Sequence, residues 1–191
     1  MALLTRGWQG GMRLAAWLTL GGFAWLGLER PARAQTDPAS LEYAVKASYL
    51  YKFAPFVNWP ATSFATPTSP FAICVAGDDP FGPVLDDITR GQQLEDHPIV
   101  VRRMETPDPA ANCQILFVGR SAAHTTTEML HAVAGEPVLT VTDRSRGVEG
   151  GMIQFVIREG RVRFDIDPAA ATANGVSISS KLLDLALRRR D

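Results

Sequence analysis

The sequence predicts an α/β fold: a single domain with a mixed, mostly parallel sheet, helices on both faces and a C-terminal antiparallel hairpin. Three observations predict it. The unbroken apolar runs Phe71–Ala76 and Cys113–Val118 have the pattern of strands buried on both faces. Each is followed by a turn and then by apolar residues at helical spacing, and strands that alternate with helices pair in parallel. The last third changes period. Ile153, Phe155 and Ile157 alternate with Gln154 and Arg158, and Val162, Phe164 and Ile166 alternate with Arg161, Arg163 and Asp165, around a Glu159-Gly160 turn.

The chain has 191 residues, 46% hydrophobic and 20% charged, which is the make-up of one globular domain. A formal net charge of -1 argues against a nucleic-acid partner, which would call for a concentrated basic face.

Residues 1–34 read as a cleavable export signal. Arg6 and Arg13 supply the positive start, Leu14 to Leu28 is an uncharged apolar run, and Ala32-Arg33-Ala34 is a small-x-small cleavage site, so the mature domain, residues 35–191, begins at Gln35. The run falls short of the roughly 20 apolar residues that a spanning helix needs. No cysteine follows it for a lipid anchor, and no arginine pair precedes it. Cleavage leaves 15 basic against 19 acidic residues, a mildly acidic protein destined for the periplasm.

In the mature chain, Leu41 to Val57 carries apolar residues at helical spacing, widened by Val45, Tyr49, Phe53 and Phe56 until the stripe nearly encircles the helix. Pro55 stops or kinks it near Ala54. Tyr49, Phe53, Phe56 and Trp59 admit two readings: core packing, or a surface for a partner, since amphipathic aromatics are enriched at interfaces. After the strand Phe71–Ala76, Asp79 and Pro80 suit the cap and first position of a helix with Phe81, Val84, Leu85 and Ile88 inward and Gly91 as its stop. Gly77, Asp78 and Asp79 do not form a phosphate loop, because two acids repel phosphate and no Lys-Ser/Thr pair follows.

His97 to Val101 is a short strand, and Ser121 can cap a helix through Ala134. Val138 to Val141 is a further strand, ending at Thr142-Asp143. The hairpin presents one covered face. A last helix turns Ile178, Leu182, Leu185 and Ala186 inward and ends in Arg188-Arg189-Arg190, three cations that suit the negative end of a helix dipole or, alternatively, a lipid surface.

Cys74 and Cys113 are the two cysteines, and export to an oxidising compartment makes a disulfide their default state, with two reduced core cysteines as the alternative. The histidines His97, His124 and His131 are scattered, and no metal-ligand spacing, nucleophile elbow or phosphate loop occurs. No metal or cofactor is expected, and the residues do not call for an enzyme.

Seven stretches in order carry a resemblance: Lys46-Ala-Ser-Tyr-Leu-Tyr-Lys-Phe-Ala54, Phe56-Val-Asn-Trp-Pro60, Ile73-Cys-Val-Ala-Gly-Asp-Asp-Pro-Phe-Gly82, Cys113-Gln-Ile-Leu-Phe-Val118, Leu139-Thr-Val-Thr-Asp143, Gly150-Gly-Met-Ile153 and Ile178-Ser-Ser-Lys-Leu-Leu183. Behind a signal segment, this order resembles the YfiR family of periplasmic proteins over about Val45 to Ala186. The resemblance implies a mixed α/β domain that binds the periplasmic sensor part of an inner-membrane diguanylate cyclase, restrains it, and so lowers cyclic di-GMP and biofilm formation. Cys74 and Cys113 match the family's paired cysteines. The chain departs from the family in lacking a further cysteine pair and in its charged link, Arg144 to Glu149.

On this reading Tyr49, Phe53, Phe56 and Trp59 are the candidate partner contacts. The runner-up is a periplasmic small-molecule-binding protein serving a transporter or sensor kinase, with a pocket at the carboxyl ends of the parallel strands near Gly77, Asp78, Asp79 and Asp143. A homodimer is compatible with both.

Overall fold

The computed structural model describes residues 37–189; the export signal and cleavage site expected from the sequence lie outside the described residues. The first helix, α1 (Pro38–Phe53), starts where Asp37 accepts the Ala39 N–H and Pro38 takes the first turn. Ala47 and Leu50 go inward completely and Phe53 nearly so, while Leu41 and Val45 stay exposed, so the apolar stripe is not covered all the way round. Past Phe53 the chain tightens into one 3₁₀ turn, Ala54–Phe56, around Pro55, which has no N–H to continue the helical ladder. The helix thus ends at Pro55's approach as expected, but Val57, which the apolar spacing assigns to the helix, instead opens the short strand β1 (Val57–Asn58).

The remaining elements in order are β2 (Phe71–Ala76), α2 (Pro83–Thr89), β3 (Gln93–Leu94), β4 (His97–Met104), β5 (Ile115–Val118), α3 (Thr126–His131), β6 (Leu139–Asp143), β7 (Ile153–Arg158), β8 (Arg161–Ile166), α4 (Pro168–Ala173), β9 (Ser177–Ile178) and α5 (Ser180–Leu185). Seven strands form one sheet in the order β3-β4-β2-β5-β6-β7-β8. β4, β2, β5, β6 and β7 are parallel, with β3 and β8 antiparallel at the two edges. β1 and β9 pair separately, Val57 opposite Ile178. The predicted mixed, mostly parallel sheet with a C-terminal hairpin is the observed one.

Strand alternation sorts β2 between two cores. Phe71, Ile73 and Val75 belong to one core with residues of α1 and α2 and with Phe155 and Phe164, while Ala72, Cys74 and Ala76 belong to a second, with Met129 and Val133, on the other face. In the larger core Tyr49, Phe53, Phe155 and Phe164 have ring centroids 5.2–6.1 Å apart. Such pairs add about 0.5–1.5 kcal/mol each beyond the area they bury. In the smaller core Cys74 and Cys113 are disulfide-bonded, with Cα atoms 5.8 Å apart.

Several predicted boundaries move. Asp79 does not cap α2: its Oδ1 accepts the Phe81 and Gly82 N–H groups in a loop, and the helix starts after Gly82. Gly82 has φ +50° and ψ -138°, a conformation open to glycine, and Pro83 takes the first helical position. Ser121 likewise holds its own turn, accepting from Ala123 and His124, and α3 starts later from a Thr125–Glu128 capping box. It ends at His131, short of Ala134.

The hairpin is buried on both faces over Ile153–Val156, not on one. Gln154 is fully buried opposite Asp165, and Asp165 is held by Arg144 at 3.0 Å. The predicted last helix is also shorter. Ile178 lies in β9, Leu185 is 59% exposed, and Ala186 is already extended. Leu187 donates its N–H to Phe164 and Arg188 accepts from Ile166, so the tail lines the outer edge of β8 and satisfies groups that an edge strand leaves bare. Arg188 and Arg189 therefore lie in the extended tail beyond α5, but the Arg189 guanidinium reaches back to the end of that helix, its Nε donating to the Leu183 carbonyl at 3.2 Å and its Nη2 meeting Asp184; Arg190 lies outside the described residues.

Candidate functional site

The chain leaves β2 toward α2, on the α1 face, and leaves β5 toward α3, on the opposite face. Between these two neighbouring strands the direction of winding reverses, and such a point leaves a crevice outside the carboxyl ends. Here the two loops touch: Asp78 N–H donates to the Arg120 carbonyl at 2.7 Å. A Cβ on Gly77 would lie 2.5 Å from the Arg120 oxygen, and one on Gly119 would lie 2.2 Å from the Asp78 oxygen, so both positions need glycine. Beside this contact is a cleft of about 270 Å³ lined by Tyr43, Asp78, Arg120 and Arg146, with the buried Phe117 and Val148 in its walls.

The four ligand candidates read from the sequence divide here. Asp78 is exposed at the cleft, and Asp79 lines it but has both oxygens engaged, Oδ1 by the loop amides and Oδ2 by Arg103 at 2.7 Å. Gly77 contributes backbone packing. Asp143 is not available to a ligand, being 2% exposed, with Oδ2 2.5 Å from Lys46 Nζ and Oδ1 accepting from the Ser145 amide and hydroxyl.

Lys46 was not legible as a special residue. It is completely buried, and its ammonium also meets Glu42 Oε1 at 2.5 Å and Ser145 Oγ at 3.1 Å. Enclosing an ammonium in this way is costly, and this set of acceptors offsets the lost hydration. The one sequence signal is its place inside Ala44-Val-Lys-Ala47, amid apolar neighbours. Tyr43, one turn before it, has its phenol pushed above the ordinary range by burial; Asp143 adds to the rise, while Arg146 and Arg120 oppose it.

A second concavity lies between α1 and the β7–β8 hairpin. It is an open groove of about 620 Å³ lined by Leu41, Val45, Tyr49, Ile157 and Val162. Leu41 is 60% exposed, and Val45 and Ile157 are 37% exposed each. Arg161 and Arg163 line it too, and neither has an ion pair among the described residues.

Of the aromatic contact candidates, Tyr49 alone reaches this groove. Phe53 is 1% exposed and belongs to the core, which removes it as a contact. Phe56 and Trp59 are half-buried elsewhere: the Phe56 carbonyl accepts from Ser179, and Trp59 stacks edgewise on Phe71 while its Nε1 donates to the Gln114 carbonyl at 3.1 Å.

Fold and site together define a small disulfide-bonded α/β domain whose distinctive surfaces are concavities suited to binding. Among the described residues, no group of three or more His, Cys, Asp or Glu could hold a metal ion, and no helix is long and apolar enough to cross a membrane. Residues 43–187 match the family described as YfiR/HmsC-like, and the chain belongs to that family. Comparison with curated proteins gives no match.

Proposed function

We propose that this domain works in the periplasm as a regulator of cyclic di-GMP signalling, binding the periplasmic sensor domain of an inner-membrane diguanylate cyclase and holding the cyclase in check. Membership of the YfiR/HmsC-like family supports the regulatory reading over a catalytic one. The observation that carries the docking part is the apolar groove between α1 and the hairpin. Exposed Leu41, Val45 and Ile157 lie together there, and a contiguous apolar surface of this kind marks an interaction site on a soluble domain. Arg161 and Arg163 beside it select a partner segment that is apolar along its centre and acidic at its edge.

The candidate contacts on this reading are Leu41, Val45, Tyr49 and Ile157. Deletion of the gene tests it: cellular cyclic di-GMP rises, the intact gene restores it, and a version lacking residues 1–34 does not. Unchanged cyclic di-GMP on deletion removes the cyclase as the target.

A further inference from the structure

The cleft at the β2/β5 winding reversal has a chemistry of its own, independent of the groove. Three separate elements bring side chains to it: Tyr43 from α1, Arg120 from the loop after β5, and Arg146 from the 3₁₀ turn after β6. The Arg146 guanidinium lies 5.2 Å from the centre of the Tyr43 ring. Neither Arg120 nor Arg146 has an ion pair or a side-chain hydrogen bond among the described residues, although thirteen other charged side chains around the fold are paired. Two guanidiniums without an ion pair or side-chain hydrogen bond among the described residues, one of them over the ring of a half-buried phenol, with Phe117 and Val148 behind them, form a site with donors at one end and apolar walls at the other.

The placement is also rigid. Asp143 caps the turn that carries Arg146 through its bond to the Ser145 amide, and the same carboxylate anchors Lys46, one turn along α1 from Tyr43. The buried pair thus sets the distance between two of the three groups without touching whatever enters the cleft. Asp78 faces the same space as an acid with no ion pair among the described residues, which disfavours a second negative charge on the occupant.

We propose that this cleft is a binding site for a small monocarboxylate with an apolar body. The carboxylate is received by Arg120 and Arg146, planar forks matched to its two oxygens, and the body packs on Phe117, Val148 and the Tyr43 ring. About 270 Å³ sets the size at roughly one ring and its carboxylate. The site rests on α1, the helix that also forms one wall of the docking groove, so its occupant contacts the element that a partner would contact.

Calorimetric titration of the mature domain with benzoate, phenyl phosphate and benzylamine tests this. Benzoate binds, benzylamine does not, and phenyl phosphate binds more weakly because of Asp78. Arg120→Gln and Arg146→Gln each weaken benzoate binding about tenfold or more, while Arg163→Gln, at the groove, leaves it unchanged. Both cleft arginines are exposed, so their variants keep the wild-type melting curve, and this is measured alongside. The proposal is overturned by absence of benzoate binding at millimolar concentration, by benzoate affinity indifferent to both arginines, or by equal binding of benzylamine. Tighter binding of phenyl phosphate than of benzoate overturns the carboxylate assignment. None of these readouts depends on the cyclase.

Discussion

Lys46 and Asp143 form an ion pair closed to solvent: Nζ lies 2.5 Å from Oδ2, and neither side chain is more than 2% exposed. The pair joins the middle of α1 to the carboxyl end of β6, 97 residues away in sequence. Charges enclosed this way add little net stability compared with apolar residues, but removing one partner leaves the other stranded. Lys46→Met should therefore lower the unfolding free energy by about 3–5 kcal/mol. Adding Asp143→Leu should recover at least half of that, and the remainder reflects the lost cap on the turn that follows β6. Urea titrations of the single and double variants measure both; a single-variant loss below about 1 kcal/mol would contradict the enclosed pair.

The disulfide spans 39 residues of sequence and ties β2 to the segment that leads into its neighbour β5. Closing a loop of that length restricts the unfolded chain by an amount worth about 4 kcal/mol in the chain-entropy account. Cys74→Ala with Cys113→Ala should lower the melting temperature accordingly, and the oxidised wild type should resist alkylation until reduced. Immediate labelling of both cysteines in denaturant would show that the bond is absent.

Arg103 bridges Asp79 and Asp86, with Nε 2.7 Å from one carboxylate and Nη2 2.6 Å from the other. The Asp86 carboxyl is held below its ordinary range, first by the side-chain hydrogen bond from Arg103. A depressed folded-state pKa stabilises the protein above the unfolded value, about 3.9 for an aspartate, and the contribution is lost as pH falls through the folded value. The pair is substantially exposed, so solvent and salt reduce it to about 1 kcal/mol or less. Arg103→Gln should thus be modestly destabilising at pH 7, and the gap from wild type should close as pH drops below about 4. A gap that widens in acid would refute the assignment.

Much of the fold was legible because its signals are local. The apolar runs of β2 and β5 and the two-residue period of β7 and β8 need no tertiary knowledge, and Glu159 and Gly160 both have positive φ at the turn they were read to form. The errors come from competition. Asp79 and Pro80 satisfy helix-start rules, but so do Gly82 and Pro83, and only packing of Phe81 decides between them. Thr125 and Glu128 carried a capping-box spacing that outranks Ser121. The last helix yields because the bare edge of β8 recruits Leu187–Arg189. The site was less legible: Tyr49 and Phe53 are both aromatic and share one face of α1, yet Tyr49 reaches the groove while Phe53, one turn further on, is core, a distinction set by where the hairpin covers that face. Arg120, Arg146 and Lys46 became visible only once the strand ends were side by side.

Export is a prediction for residues beyond those described. Protein recovered from the periplasm should begin at Gln35 by N-terminal sequencing, following cleavage after Ala34. A membrane-retained product that keeps Met1 would exclude it.

The central claim is that the groove between α1 and the hairpin docks on the periplasmic domain of a membrane cyclase. Val45→Asp places a charge in that groove at an exposed helix position, so it should cost little stability. Trp59→Ala, which removes an edge-to-face ring contact and a half-buried hydrogen bond to the Gln114 carbonyl, should lower the melting temperature without altering affinity of the folded protein. The deciding measurement is the affinity of the purified mature domain for the cyclase's periplasmic domain, taken with the melting curve of each variant. The account predicts at least tenfold weaker binding for Val45→Asp with its melting curve unchanged. Wild-type affinity in Val45→Asp, with binding lost in folded Trp59→Ala, would move the interface off the groove and contradict it.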